Sequence, residues 1–155
     1  MILHAGLIAR YCAPNWRGVL IEGPSGSGKS DLALRAADAG WALVTDDRTL
    51  VWTCEGRLYG RAPETLEGLL EVRGLGILPV CGRHFAEISL IAACVLPPQP
   101  IERMPETGSE IVLGVTLPKV NLAAFEPSAP AKLTRALSHL GLRPQRAYQT
   151  VRARD

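Results

Sequence analysis

The sequence predicts a single α/β domain organised around a phosphate-binding loop, and three observations carry that prediction. Gly23-Pro24-Ser25-Gly26-Ser27-Gly28-Lys29-Ser30 is a complete G-x-x-x-x-G-K-[ST] octapeptide. The apolar run Gly18-Val19-Leu20-Ile21 enters it as a short buried strand, and Leu32, Ala33, Ala36 and Ala37 leave it at helical spacing before Gly40. Strand, loop and helix in this order suit polyphosphate binding. The glycines turn successive N–H groups inward, the lysine reaches the β/γ-phosphates, the last hydroxyl meets Mg²⁺, and the helix N-terminus adds partial positive charge.

The elements follow in order. Strands are expected near Ile2–Ala9 and Gly18–Glu22, then the loop, then a helix over Ser30–Ala39 reset by Gly40. Ala42-Leu43-Val44 is the next strand and ends in Thr45-Asp46-Asp47. Leu50–Thr53 and Arg57-Leu58-Tyr59 flank Glu55-Gly56 as a hairpin. Pro63 favours the first turn of a short helical piece through Glu64–Leu70, and the two glycines of Glu71-Val72-Arg73-Gly74-Leu75-Gly76-Ile77 argue for a loop. Ala86–Val95 is apolar enough for a buried strand. Pro97, Pro98, Pro100, Pro105, Glu106, Gly108 and Ser109 make a long surface loop, and Ile111–Leu117 is a further strand. Leu133, Ala136, Leu137 and Leu140 mark a C-terminal amphipathic helix closed by Gly141, with a polar tail after Pro144.

Composition narrows the function classes. The chain has 155 residues, 47% hydrophobic and 21% charged, so one domain over residues 1–143 with a tail at 144–155 is expected. No apolar stretch reaches membrane-span length and no secretion signal opens the sequence, which points to a cytoplasmic address without membrane partners. A net charge of +2, dispersed arginines (Arg61, Arg73, Arg83, Arg103) and only 5% aromatics argue against nucleic-acid binding. Cys12, Cys54, Cys81 and Cys94 form no C-x-x-C pair, so buried free thiols are expected rather than zinc ligands or disulfides.

Phosphoryl transfer needs held phosphates, a metal and a proton acceptor. Lys29 is the candidate for the phosphates and Ser30 for the metal. Asp46 and Asp47 can aim one carboxylate at the γ-phosphate and the other at the metal, or Asp-Asp-Arg simply opens a turn. Glu71 and Arg73 flank Val72, so in an extended segment both project to one side, either as a metal and phosphate pair or as a surface ion pair. His4 is a core histidine unless the fold brings it close to Asp46.

As a set these residues are similar to the HPr kinase/phosphorylase family. The resemblance runs over roughly residues 2 to 122 and rests on Ile2-Leu3-His4-Ala5-Gly6, the phosphate loop with Asp31, and Leu43-Val44-Thr45-Asp46-Asp47-Arg48. It continues through Ala62-Pro63-Glu64-Thr65-Leu66, Leu70-Glu71-Val72-Arg73-Gly74-Leu75-Gly76-Ile77 and Leu113-Gly114-Val115-Thr116-Leu117-Pro118-Lys119-Val120. It implies a P-loop kinase core related to phosphoenolpyruvate carboxykinase, in the short form that begins at the C-terminal kinase domain. It further implies an ATP- and Mg²⁺-dependent serine kinase of the phosphocarrier HPr in the phosphotransferase system, forming a hexamer.

Carried over by residue, the resemblance implies Asp46 as proton acceptor in phosphorylation and donor in phosphorolysis, with Lys29, His4 and Arg103 as catalytic companions. Ser30 and Glu71 would bind Mg²⁺, with Asp47 a further metal candidate from its place beside Asp46 rather than from the resemblance, and Arg73 and Gly74 would belong to a segment shaping the site. Asn121–Pro130 departs from the family's loop tied to dephosphorylation, which leaves phosphorolysis as the weaker expectation. Two other readings compete: a catalytically weak ATP-binding sensor or partner-binding module, and a small-molecule P-loop kinase, which lacks an arginine-rich lid here. No Asn-Lys-x-Asp segment supports a GTPase.

Overall fold

The computed structural model describes residues 1–63 and 68–141. Eleven strands and two helices build one mixed α/β fold among the described residues: β1 (Ile2–Leu3), β2 (Gly6–Cys12), β3 (Asn15–Glu22), α1 (Lys29–Asp38), β4 (Ala42–Thr45), β5 (Thr49–Cys54), β6 (Arg57–Arg61), β7 (Leu69–Val72), β8 (Gly76–Pro79), β9 (Phe85–Cys94), β10 (Gly108–Val112), β11 (Val115–Leu122) and α2 (Ala129–Ala136). A π-helical turn, Leu137–Gly141, continues α2.

The main sheet has the order β1-β5-β6-β9-β3-β2-β4, with the β10–β11 hairpin joined to β9. β9 is long enough to carry two neighbours on one edge. Its first residues, Phe85–Glu87, pair antiparallel with β6, while Ile91–Cys94 pair parallel with β11. Its other edge takes β3 in parallel. Because β2 runs against both β3 and β4, the C-terminal ends of β3, β4, β9 and β11 and the start of β2 share one edge of the sheet. Ligands of open α/β sheets collect at such strand ends.

Alternation along the strands divides the core. Val19, Ile21, Leu90 and Ala92 point to the helical face, where they meet Leu32, Ala36 and Leu133. Leu20, Ile88 and Ile91 point the other way. There they join Val44 of β4 and Val51 of β5, strands far apart in the sheet order, so the sheet curls around this second core. Gly60 permits the closure, since a Cβ there would stand 2.7 Å from both Leu7 Cδ2 and Thr49 Cγ2.

Several local expectations change. The first predicted strand is two, broken at His4–Ala5, because β1 pairs with β5 and β2 with β3. The segment 71–77 is not a loop but most of the β7–β8 hairpin, with Leu69 and Leu70 in β7 rather than in a helix. Gly74, at φ 85°, sits third in the turn closed by the Leu75 N–H on the Val72 carbonyl, so the glycines shape a tight turn rather than break the strands. Residues 64–67, expected as helical, and the tail after Pro144 lie outside the described residues. The predicted Ile111–Leu117 strand is a hairpin that turns at Leu113 and Gly114, both with positive φ, as a two-residue turn of the primed type demands. The C-terminal helix starts at Ala129, earlier than its apolar periodicity suggests.

Candidate active site

The phosphate loop lies between β3 and α1 at the shared edge. Gly23, Gly26 and Gly28 have φ of 150°, 80° and 93°, the left-handed region that a side chain strains to enter. Two of them are also crowded. A Cβ on Gly23 would fall 2.7 Å from the Cys94 carbonyl oxygen, and one on Gly28 would fall 3.0 Å from the Phe125 ring. α1 starts without a side-chain cap, so its first N–H groups keep their donors for the loop's concavity. Ser27 is fully buried, and its hydroxyl has no hydrogen-bond partner among the described residues. The Lys29 ammonium arches back over the loop and donates to the carbonyls of Gly23 at 2.8 Å and Pro24 at 3.1 Å.

The two adjacent aspartates take different partners. Ser30 Oγ donates to Asp46 Oδ1 at 2.8 Å. Asp47 Oδ1 lies 2.8 Å from His4 Nε2, and both of these side chains are exposed. The histidine therefore stands with Asp47 and not with Asp46. Successive residues past the end of β4 point to opposite sides, one toward the loop and the other toward the segment joining β1 to β2. Burial pushes the Asp46 carboxyl above its usual range. The Ser30 hydroxyl opposes that shift, the nearby Asp47 and Glu71 carboxylates add to it, and a hydrogen bond from the Glu71 backbone again opposes it.

Glu71 reaches this site because Leu70, beside it in β7, is fully buried in the core beneath α1 and anchors the hairpin there. Arg73 and Gly74 occupy the hairpin's exposed turn, past the end of β7. Asp47, expected with Ser30 and Glu71 at the metal, instead faces His4. No group of three His, Cys, Asp or Glu among the described residues is arranged as a metal cluster. Arg103 is exposed in the segment 95–107, between β9 and β10.

Other residues that frame the loop were not singled out from the sequence. Lys119 of β11 bridges Glu22, the last residue before the loop, and Glu110 of β10, at 2.6 Å to each, and both carboxylates raise its pKa. Arg35 of α1 pairs with Asp31 at 2.9 Å and donates to the carbonyls of Glu126 and Ala124, tying the turn after β11 to α1. The i, i+4 spacing of Asp31 and Arg35 was a legible signal for the first of these contacts. No helix is long and apolar enough to cross a membrane among the described residues. Of the four cysteines, all free, only Cys94 is buried. Cys54 and Cys81 are exposed, because the first closes a surface hairpin strand and the second borders the sheet's edge.

This geometry coincides with the relatives. Residues 11–92, which include the loop, both aspartates, Glu71 and Arg73, match the HPr Serine kinase C-terminal domain. The HPr kinase/phosphorylase of Clostridium perfringens is 51% identical over 78 residues, covering 50% of this chain and 24% of that protein. The HPr kinase/phosphorylase of Streptococcus thermophilus is 37% identical over 116 residues, covering 68% of this chain and 38% of the relative. The chain thus spans well under half the length of these curated relatives. The structure of the Hpr(Ser) kinase/phosphatase from Coxiella burnetii superposes with a TM-score of 0.75 at 26% identity, covering 89% of this chain and 88% of that one. With the matched segment spanning more than half of its sequence and 89% of the chain superposing on a solved relative, the chain belongs to the HPr serine kinase C-terminal domain family.

Proposed function

We propose that the chain is an ATP- and Mg²⁺-dependent serine kinase of the phosphocarrier HPr, acting in the phosphotransferase system. The observation that carries the reading is the split between neighbouring carboxylates, Asp46 on the phosphate-loop hydroxyl and Asp47 on His4. Phosphoryl transfer needs one acidic group on the metal side and one on the acceptor side, and here both come from the end of one strand.

The loop's donors suit a polyphosphate: uncapped helix N–H groups, a lysine and an orphaned buried hydroxyl. The oxygen donors Ser30, Asp46 and Glu71 suit Mg²⁺, a hard cation. When bound, Mg²⁺ neutralises phosphate charge that would otherwise repel the incoming hydroxyl. Lys29 would exchange its loop carbonyls for phosphate oxygens. Asp47 would take the proton from the target serine, and His4 would orient and balance that carboxylate. Asp46, already engaged by Ser30 and less exposed than Asp47, suits the metal side, which exchanges the roles expected of the two aspartates. Arg73, Gly74 and Arg103 stand on exposed segments from which they would meet the protein substrate or its phosphate.

The test is direct. Purified chain, Mg²⁺-ATP and HPr are incubated, and serine phosphorylation is followed by intact mass. Inorganic phosphate is then added to the phosphorylated product. Transfer to HPr is the expected result, and pyrophosphate release in the second step would extend the reading to phosphorolysis. ATP binding without transfer would replace the kinase with a nucleotide-binding sensor.

A further inference from the structure

We infer that Phe125 is the stacking platform for the nucleobase of the nucleotide whose phosphates the loop holds, an inference that rests on the kinase reading above. Phe125 follows β11 at the same edge of the sheet as the loop. Its ring touches Gly28, the last residue before α1, so closely that a Cβ on Gly28 would lie 3.0 Å from Cζ and 3.1 Å from Cε1. The remainder of the ring is open, and the residue is 54% exposed. Ala124 before it is fully buried, and the turn that carries the ring, through Ser128, is exposed with it.

The backbone that carries the ring is held in place. The Glu126 N–H closes a turn on the Ala123 carbonyl at 3.1 Å, and Arg35 donates to the Ala124 and Glu126 carbonyls on either side of Phe125. Lys132 of α2 pairs with the Glu126 carboxylate at 2.5 Å. An apolar ring left half in water and fixed beside a phosphate cradle gains little from the protein core. It gains from a flat partner, and the base of a nucleotide is a flat surface tethered to the phosphates. The other aromatic contacts lie elsewhere: Tyr11 with Trp16 at the β2–β3 turn, and Trp52, Tyr59 and Phe85 around the start of β9, both at the opposite end of the sheet.

Stacking reads a π face rather than a hydrogen-bonding edge, so ATP and GTP should depend on the ring alike, whereas tripolyphosphate has no base to stack. Isothermal titration of wild type, Phe125→Ala and Phe125→Trp with the Mg²⁺ complexes of ATP, GTP and tripolyphosphate separates the cases. Phe125→Ala is expected to raise the Kd of both nucleotides about tenfold and to leave that of tripolyphosphate within about twofold. Phe125→Trp is expected to restore nucleotide affinity. Unchanged nucleotide affinity in Phe125→Ala overturns the platform while the phosphate loop stands. An equal loss for tripolyphosphate also overturns it, since the ring would then only shape the loop. A wild-type chain that binds neither ATP nor tripolyphosphate ends the kinase reading and the platform with it.

Discussion

Ser30 Oγ meets Asp46 Oδ1 at 2.8 Å, and this bond joins the first turn of α1 to the end of β4, across the mouth of the phosphate loop. The carboxylate is held where burial and the neighbouring Asp47 and Glu71 disfavour its charge. Such a placement opposes stability, and a bound cation would relieve it.

Asp46→Asn should therefore stabilise the protein at neutral pH, raising Tm by about 2 °C. The sign follows from proton uptake. Asp46 has a raised pKa in the folded state, so from its ordinary value of 3.8 up to the folded value the native state binds the extra proton and stability falls as pH rises. Above that window the penalty is complete, and below it variant and wild type should converge. Thermal unfolding from pH 3 to pH 8 checks this, and a variant less stable at pH 7 would contradict it.

Asp47→Asn and His4→Ala should each slow phosphoryl transfer to HPr by about 10² to 10⁴, the range for losing a general base or its partner. Both side chains are exposed, so Tm should hold while turnover falls. Single-turnover rates at saturating Mg²⁺-ATP beside melting curves make the comparison. Asp46→Asn should instead raise the Mg²⁺ concentration needed for half-maximal rate.

Gly6→Ala should disturb the site from a position with no chemistry of its own. A Cβ there would stand 2.6 Å from the Asp46 carbonyl oxygen and 3.4 Å from that of Thr45, and backbone cannot swing away as a side chain can. A loss of about 1 to 3 kcal/mol in denaturant unfolding is expected, with turnover reduced in the folded fraction. Wild-type stability would show that β2 and β4 separate at little cost.

Thiol labelling should sort the cysteines. Burial pushes the Cys94 thiol up to about 11, and although Lys29 and Arg35 pull the other way, the thiol stays protonated at neutral pH. Iodoacetamide at pH 7.5 should modify Cys54 and Cys81, both exposed, and spare Cys94 until the protein unfolds, as peptide mass mapping would reveal.

Strand ends, the phosphate loop, α1, and the β5–β6 and β10–β11 turns are governed by neighbours in sequence. Glycine backbone freedom, apolar spacing and turn chemistry act over a few residues, so most of these elements were legible, although Ile111–Leu117 concealed its turn. The β7–β8 hairpin was misjudged because its two glycines signal either a loop or a tight turn, and the choice depends on burying Leu70 against α1. Phe125 gave no signal at all, since an aromatic in an irregular segment becomes notable only when Gly28 proves to lie beneath it.

Local motifs alone establish that a phosphate loop follows a buried strand, that two carboxylates end a later strand, and which family these motifs resemble. Packing across the sheet settles that Ser30 takes Asp46, that His4 takes Asp47 across 43 positions of sequence, and that the turn after β11 closes on the loop and α1. Local backbone preference acts between neighbours, whereas which side chains meet is set by strand order and register. Those follow from burying two apolar faces of one curled sheet, a property of the whole chain.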